Sequence, residues 1–396
     1  MINLSNTYLN FIENIFDKIF QKTKIGILKV TFPSKKIKYF GNNSDINADL
    51  IIKNYKFLFK LLTKGSVGFA ESYIEGDFET ENLTSLLVFA RKNESSFINL
   101  RKSKYIFKLI TKMIHHYNGN TKSKSKRNIS YHYDLGNKFY ELWLDKTMTY
   151  SSALFEYTND DLAKAQLNKY QKITSPIKLN ENSTLLEIGC GWGGFSTYVA
   201  KNFGSKINAI TNSKKQFEYT SKRIFDEGLN EKVKVKFMDY RDINEKYDNI
   251  ASIEMFEAVG IKYWPLYFNK IKNTLNNEGI ASLQIITIDD KRAESYQKNP
   301  DFIQRYIFPG GVLPSKKQLY DLTLNLGINL KELNSFGISY AKTLNLWNKS
   351  FQNSWQQISN QGFSNKFKRM WEYYFCYCEA GFITNTTDVS QFIIKK

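Results

Sequence analysis

The chain has 396 residues, of which 42% are hydrophobic and 15% aromatic, and its formal net charge is +18. This length and apolar content exclude a mainly disordered chain and suffice for one large core and a smaller one. Three cysteines at no metal-ligand spacing, Cys190, Cys376 and Cys378, argue against a disulfide framework and a structural zinc site. We therefore expect a reducing, cytoplasmic compartment and no bound metal.

The amino-terminal part is predicted to be a smaller, mostly helical domain that spans residues 1–112. A strand pair is indicated by the alternation of apolar and polar residues in ILKVTFPSKKIKYF, around Pro33. Helical spacing is found in YKFLFKLLTKG and in LTSLLVFARKN. No apolar run approaches the roughly 20 residues of a membrane-spanning helix.

A basic segment follows, in which residues 101–127 contain nine Lys or Arg and no Asp or Glu. Its first half is typical of a basic amphipathic helix and its second half of a linker, which we place at 113–128. Such charge favours an anionic membrane surface. A solvated helix face and nucleic-acid binding are the alternatives.

The catalytic domain is predicted at 129–396, with strand and helix alternating from about Asn182. The strands are indicated by STLLEIG, KINAIT, KVKVKFMD, DNIASIEMF and GIASLQIIT, and the last two by NLKELNSFG and DVSQFIIKK. This alternation predicts a mainly parallel sheet with helices on both faces, which binds its ligand at the carboxyl ends of the strands. The polar, aromatic segment after Asp289 is interpreted as a lid over those ends.

The turn LLEIGCGWGG carries Gly189, Gly191 and Gly194 between a strand and a helix, with Glu187 just before it. Glycines there allow a ligand to approach the backbone and the helix amino end. A dinucleotide would require an acidic residue at the end of the second strand, where Thr211 stands instead. Glu187 suits the positively charged end of S-adenosylmethionine, and Asp239 is placed to accept from its adenine amino group.

The sequence resembles the cyclopropane fatty acid synthases and related lipid carbon-methyltransferases. The resemblance rests on blocks that occur in the family's order from about Asn128 onward: YHYDLGNKFYELWLD, MTYSSALF, LLEIGCGWGG, SIEMFEAVG, YIFPGGVLPS, FGISYAKTL and YCEAGF. It implies an α/β fold, a Rossmann-like class I methyltransferase with a seven-stranded sheet and helical lid insertions. It also implies the S-adenosylmethionine contacts Tyr150, Ser151, Glu187, Gly189, Gly191, Thr211, Gln216, Asp239 and Tyr240.

In the acyl site, the resemblance implies that Glu257 and Tyr340 hold a bicarbonate ion and that Cys378 lies nearby. Two residues replace the family's cysteine and histidine: Ser152, which could offer its backbone amide, and Gln284, which could donate a hydrogen bond but cannot hold a proton as histidine does. The family's second histidine is Ala258 here. Whether bicarbonate still binds therefore stays open.

The resemblance implies methylation of the double bond of an unsaturated phospholipid acyl chain through a carbocation. The product is a cyclopropane or a methylene- or methyl-branched fatty acid. The implied location is peripheral, on the inner face of a membrane, and a homodimer is left open. The alternative is a small-molecule amine N-methyltransferase, since plant enzymes of that kind resemble the same YHYDLGN and YSSALF blocks. Nucleic acid is not an expected partner, because no base-methyltransferase motif is present.

Overall fold

A computed structural model describes residues 13, 14, 16–42, 46–96 and 135–396 of the chain. The chain divides into two compact units. One unit comprises residues 1–129 and 363–384, and the other comprises residues 130–362 and 385–396. The basic segment 101–127, the predicted linker 113–128 and much of the YHYD block lie outside the described residues.

The amino-terminal unit contains a four-stranded sheet with the strand order β2-β1-β3-β4. The predicted strand pair is confirmed, because β1 (Ile27–Thr31) and β2 (Ile37–Gly41) pair in antiparallel fashion across the turn that contains Pro33. The structure adds β3 (Asn47–Ile52), parallel to β1, and the short β4 (Phe78–Glu79). Strand alternation places Leu28 and Val30 in the core, where they are fully buried.

Four helices of the same unit are Lys56–Lys64, Ser66–Ile74, Leu83–Lys92 and Asn365–Ile383. The third is capped by Asn82, whose side chain accepts from the Ser85 amide. The last one packs on the second and third, and the Thr84 hydroxyl donates to Glu379 at 2.8 Å. A helix from the carboxyl-terminal region of the sequence therefore belongs to the amino-terminal unit.

The second unit is built on a seven-stranded sheet with the order β10-β11-β9-β8-β5-β6-β7. Its strands are β5 (Thr184–Ile188), β6 (Lys206–Thr211), β7 (Val233–Phe237), β8 (Tyr247–Ile253), β9 (Leu275–Ile288), β10 (Leu330–Ser335) and β11 (Thr387–Lys395). The first five run parallel, and β11 is antiparallel to both β9 and β10. The predicted α/β sheet is confirmed, including its last two strands.

Helices cover both faces of this sheet, since the strands carry apolar side chains to each side. The helices are Asn137–Glu141, Leu162–Thr174, Gly194–Phe203, Lys214–Asp226, Trp264–Thr274, Asp290–Lys298, Lys316–Asn325, Gly337–Asn353 and Trp355–Ser359. Short 3-10 helices lie at 240–242, 256–258 and 261–263, and a short π-helix lies at 303–307. One core cluster includes Leu186 and Leu283, and the cluster around Leu185 and Phe195 lies on the opposite face.

The predicted domain limits, 1–112 and 129–396 with a linker at 113–128, stay a prediction, and the division into compact units departs from them most at residues 363–384. Residues 363–384 fall within the predicted catalytic domain, yet they pack with the amino-terminal elements. No helix within the described ranges is both long enough and apolar enough to cross a membrane.

Candidate active site

The glycine turn joins β5 to the helix Gly194–Phe203 at the carboxyl edge of the sheet. The amides of Gly189 and Cys190 both donate to the Ile210 carbonyl at 3.0 Å, which fixes the turn against β6. Gly189 (φ +84°) and Gly191 (φ +53°) adopt left-handed backbone conformations. A Cβ at Gly189 would lie 2.8 Å from Met255 Cγ, whereas a Cβ at Gly191 would point into open space. The backbone of Gly191 is therefore accessible to a ligand.

Glu187 lies on β5 under this turn and is 3% exposed. The Ser196 hydroxyl, from the first turn of the following helix, donates to its carboxylate. Burial raises the pKa of Glu187 to about 7, and the Ser196 hydrogen bond and the positive charge of Lys169 oppose that rise. A cation bound beside Glu187 would favour its ionised form, as the predicted role at the positively charged end of the cofactor requires.

The predicted ribose and adenine contacts lie at the ends of β6 and β7. The Thr211 hydroxyl donates to Gln216 Oε1 at 2.8 Å, so these two side chains form one polar pair. Asp239 accepts two hydrogen bonds from the Arg241 guanidinium, at 2.8 and 2.7 Å. These bonds hold the pKa of Asp239 below its ordinary value, so this carboxylate is an ionised acceptor. Tyr240 is half-buried, and its ring lies 5.5 Å from that of Tyr267.

Tyr150 and Ser151 lie in the loop between the helices Asn137–Glu141 and Leu162–Thr174, and the structure adds a residue there that sequence reasoning missed. Lys169, on the helix Leu162–Thr174, is completely buried, and its Nζ donates to Ser151 Oγ at 2.7 Å. Burial lowers the pKa of Lys169 to about 7, and Glu254, Asp145 and Glu187 oppose that change through their negative charges. In the sequence, Lys169 looks like any polar position of an amphipathic helix.

The second missed residue is Glu254, which follows directly after β8. Its Oε1 accepts from the Ser152 amide at 2.8 Å and from Gln284 Nε2 at 2.7 Å. Its Oε2 accepts from the Tyr340 hydroxyl at 2.6 Å. A charged residue directly after the apolar strand DNIASI was the available signal, because ligands bind at the carboxyl ends of such strands.

Glu257 lies beside Glu254 but has a different environment. Its Oε1 accepts from the Ile286 amide at 2.6 Å, and its Oε2 is buried without a hydrogen-bond partner among the described residues. Burial raises the pKa of Glu257 to about 8, and the negative charge of Glu254 adds to this rise. Burial and the neighbouring carboxylate therefore favour the neutral acid form of Glu257 near pH 7. The structure joins Tyr340 to Glu254, while the catalytic role of Glu257 stays a prediction.

Two further hydrogen bonds hold the groups around Glu254 and Glu257, where the acyl site is predicted. Gln284 Oε1 accepts from Gln391 on β11 at 3.1 Å, which directs the Gln284 amide nitrogen toward Glu254. The predicted lid returns to the site where the Val312 amide donates to the Glu257 carbonyl at 2.8 Å. Ser152 is completely buried and its amide donates to Glu254, while its predicted role in place of the family's cysteine stays a prediction.

Aromatic rings surround the segment that carries Tyr150. The ring of Tyr150 lies 5.3 Å from that of Trp347 and 5.5 Å from that of Trp143. Trp347 also contacts Tyr340, at 6.2 Å between ring centroids. Ring faces attract nearby cations by about 0.5 to 2 kcal/mol each. An apolar, electron-rich wall thus adjoins the buried carboxylates.

Cys378 lies in the helix Asn365–Ile383 of the amino-terminal unit and is half-buried. Its predicted place near the acyl site stays a prediction. Within the described part of the chain, no three His, Cys, Asp or Glu side chains are grouped in a way that could hold a metal ion.

The strand order, with an antiparallel last strand and a glycine turn after the first strand of the sheet, defines a class I S-adenosylmethionine-dependent methyltransferase fold. The crystal structure of the mycolic acid cyclopropane synthase CmaA1, complexed with SAH and CTAB, matches with a TM-score of 0.63 and 28% identity. That match covers 68% of this chain and 97% of that one. Coclaurine N-methyltransferase shares the fold, with a TM-score of 0.61 and 18% identity over 84% of this chain and 99% of that one.

The sequence comparisons agree with the structural ones. Residues 120–392 match the family described as mycolic acid cyclopropane synthetase. The chain is 33% identical to the tuberculostearic acid methyltransferase UfaA1 of Mycobacterium tuberculosis strain H37Rv, over 83% of this chain and 79% of the relative. It is also 33% identical to the cyclopropane-fatty-acyl-phospholipid synthase of Escherichia coli strain K12, over 89% of each.

The chain therefore belongs to the mycolic acid cyclopropane synthetase family. It is an S-adenosylmethionine-dependent methyltransferase of the cyclopropane-fatty-acyl-phospholipid synthase type. The buried Glu187 and the open space beside Gly191 fit a cationic cofactor of this kind.

Proposed function

We propose that the protein methylates the double bond of an unsaturated phospholipid acyl chain at an anionic membrane surface. The cofactor, when bound, supplies an electrophilic methyl group. The observation that carries the proposal is the Glu254 carboxylate, held by three donors beside an aromatic wall. Methylation of an isolated alkene produces a carbocation, which requires electron-rich surroundings and a base that removes a proton.

Each part of the site has a task in this proposal. Glu187 and the Gly191 backbone hold the charged end of the cofactor, and the pair Thr211 and Gln216 holds its ribose. Asp239 accepts from the adenine amino group. Tyr150 and Trp347 shield the cation from water, and Glu257 acts as a neutral acid in the acyl pocket next to Glu254.

The basic segment 101–127 supports docking on anionic lipid, because each Lys or Arg near such a surface contributes about 1 kcal/mol. The proposed location is thus the inner face of a membrane, with peripheral association. The inferred amine N-methyltransferase alternative requires no lipid surface, so the same experiment separates the two functions.

The experiment uses the purified chain, a methyl-deuterated cofactor and vesicles of unsaturated phosphatidylglycerol. Vesicles of saturated phosphatidylglycerol and of unsaturated phosphatidylcholine serve as controls, together with a lipid-free arm that contains a benzylisoquinoline amine. We expect label only in unsaturated acyl chains and more of it in the anionic vesicles. Mass spectrometry then counts deuterium: a cyclopropane or a methylene group keeps two deuterons, because the cation loses its proton from the new methyl group. A methyl branch keeps three when the cation instead loses a proton from a neighbouring carbon of the chain, which leaves a chain double bond.

A proton spectrum separates the cyclopropane from the methylene product by its upfield ring signals. Label in the amine with none in lipid would reject the lipid function in favour of the alternative. Equal labelling of anionic and neutral vesicles would reject the anionic docking step and leave the reaction itself standing.

A further inference from the structure

The three donors around Glu254 come from separate parts of the fold. The Ser152 amide lies in the loop that follows the helix Asn137–Glu141, Gln284 lies on β9, and Tyr340 lies on the helix Gly337–Asn353. Three donors within 2.8 Å form a binding site for one carboxylate-sized anion. In this chain the anion that occupies the site is a side chain of the protein itself.

The backbone conformation of Glu254 indicates that the surrounding structure holds this residue in place. Its φ is +50°, in the left-handed region, which costs a residue other than glycine about 1 to 2 kcal/mol. The Glu254 amide still donates to the Gln284 carbonyl at 2.9 Å, so the residue stays fixed to the end of the sheet. Such strain persists where the surroundings over-determine a conformation, and it is concentrated at functional sites.

The contacts in the pocket favour the ionised form at Glu254 more than at Glu257. Burial raises the pKa of both glutamates, but at Glu254 three hydrogen bonds and the positive charge of Lys169 oppose the rise. Glu257 has one opposing amide donor from Ile286 and the repulsion of Glu254. Two neighbouring carboxylates in one pocket share a charge unequally, and the three donors to Glu254 against one to Glu257 favour Glu254 as the charged member.

We propose that Glu254 is the proton acceptor of the reaction, a carboxylate built into the chain, so that turnover requires no bicarbonate ion. The proposal rests on the proposed function. In the step concerned, a C–H bond of the newly attached methyl group breaks, and its electron pair closes the second carbon–carbon bond of the ring. The proton moves to the Glu254 carboxylate and passes to solvent after the product leaves.

The same acceptor serves the methylene product. There the electron pair of the C–H bond forms the carbon–carbon double bond, and the proton again moves to Glu254. The donors that the resemblance connected with bicarbonate, Ser152 and Tyr340, position this base in both cases.

The test compares Glu254→Gln and Glu254→Gly with the wild type, using vesicles of unsaturated phosphatidylglycerol. Buffers are either stripped of carbon dioxide or supplemented with bicarbonate. Wild-type turnover should agree within twofold in both buffers. Glu254→Gln should lower turnover by about 100-fold or more, as expected for the loss of a general base, while calorimetry shows cofactor affinity within about threefold of wild type.

Glu254→Gly provides the chemical rescue. Glycine adopts a φ of +50° without strain, and the deleted side chain leaves a space lined by the three donors. Added bicarbonate should therefore restore turnover by at least about tenfold. Glu278→Gly is the matched control, because Glu278 is also left-handed, at φ +61°, but is exposed at the far end of β9. Its turnover should match wild type and should not respond to bicarbonate.

A wild-type enzyme that stops without bicarbonate would overturn the proposal, as would Glu254→Gln turnover within threefold of wild type. If Glu254→Gln fails to fold, the rescue of Glu254→Gly decides. If the wild type methylates no lipid, the proposed function fails, and binding of 13C-labelled bicarbonate, followed by NMR, still tests the site. Glu254→Gly should then bind the ion and the wild type should not, whereas binding to the wild type would refute the built-in carboxylate.

Discussion

The replacement Glu257→Gln tests the charge state that the structure assigns to the acyl site. The pKa of Glu257 rises from its ordinary 4.5 to about 8 in the folded protein. The native state therefore binds more protons than the unfolded chain between these two pH values. The stability that results is full below about pH 4.5 and is lost as the pH rises to about 8. Glutamine mimics the neutral acid and removes this dependence.

The magnitude follows from the width of that window. A pKa change of one is equivalent to about 1.4 kcal/mol, so the ceiling is about 5 kcal/mol. Structural relaxation and water that enters the pocket lower this ceiling. We therefore expect the pH-dependent loss of unfolding free energy to be larger in wild type than in Glu257→Gln by about 2 to 3 kcal/mol. The measurement is the free energy of unfolding by urea at pH 5 and pH 8.5, for wild type and Glu257→Gln. Glu187 and Lys169 titrate in both proteins, so their contributions cancel in the difference.

A pH dependence that is the same within about 0.5 kcal/mol in the two proteins would refute the assigned charge state. It would mean that Glu257 is ionised at neutral pH and that the buried pocket is better solvated than its contacts indicate.

Three further experiments, two of them with a matched control replacement, test the rest of the site. Gly191→Ala places a methyl group in the cofactor space and should weaken cofactor binding by about 10- to 100-fold in calorimetry, while left-handed strain lowers stability by only about 1 kcal/mol. Lys169→Met removes a buried cation between glutamates and should shift the acid limb of the pH–rate profile upward, whereas exposed Lys172→Met should leave the profile unchanged. Asp239→Ala should weaken cofactor binding by about tenfold or more, but Arg241→Gln by less than about threefold, because an exposed ion pair contributes at most about 1 kcal/mol. Equal effects of the last two replacements would show that Asp239 acts only through Arg241.

The sheet could be predicted because its strands are short apolar runs that alternate with helices. The glycine turn could be predicted because its glycines follow directly after a strand that carries Glu187. Both signals are local. The pairing of Asp239 with Arg241, two residues further along the chain, is local as well, but one sequence does not show which of the two groups a ligand would meet.

The acyl site was harder to predict because its key contacts depend on the fold. In SIEMFEAVG the resemblance pointed to Glu257, and only the left-handed backbone turns the Glu254 side chain toward Ser152 and Tyr340. Those two donors lie 102 and 86 residues away along the chain. The importance of Lys169 likewise depends on its complete burial, which its neighbours in the helix do not indicate.

The discontinuous amino-terminal unit has a consequence for synthesis on the ribosome. Its strands and the helices up to Lys92 emerge early, but the helix Asn365–Ile383 that completes their core follows only after residues 93–364, about 270 residues. At about 5 to 20 residues per second, the wait lasts roughly 14 to 54 seconds. During that time the apolar faces beneath the missing helix are open to chaperones or to aggregation. A nascent chain that stalls before residue 383 thus lacks part of the last helix of the amino-terminal unit. It also lacks β11 of the second unit, so neither unit is complete.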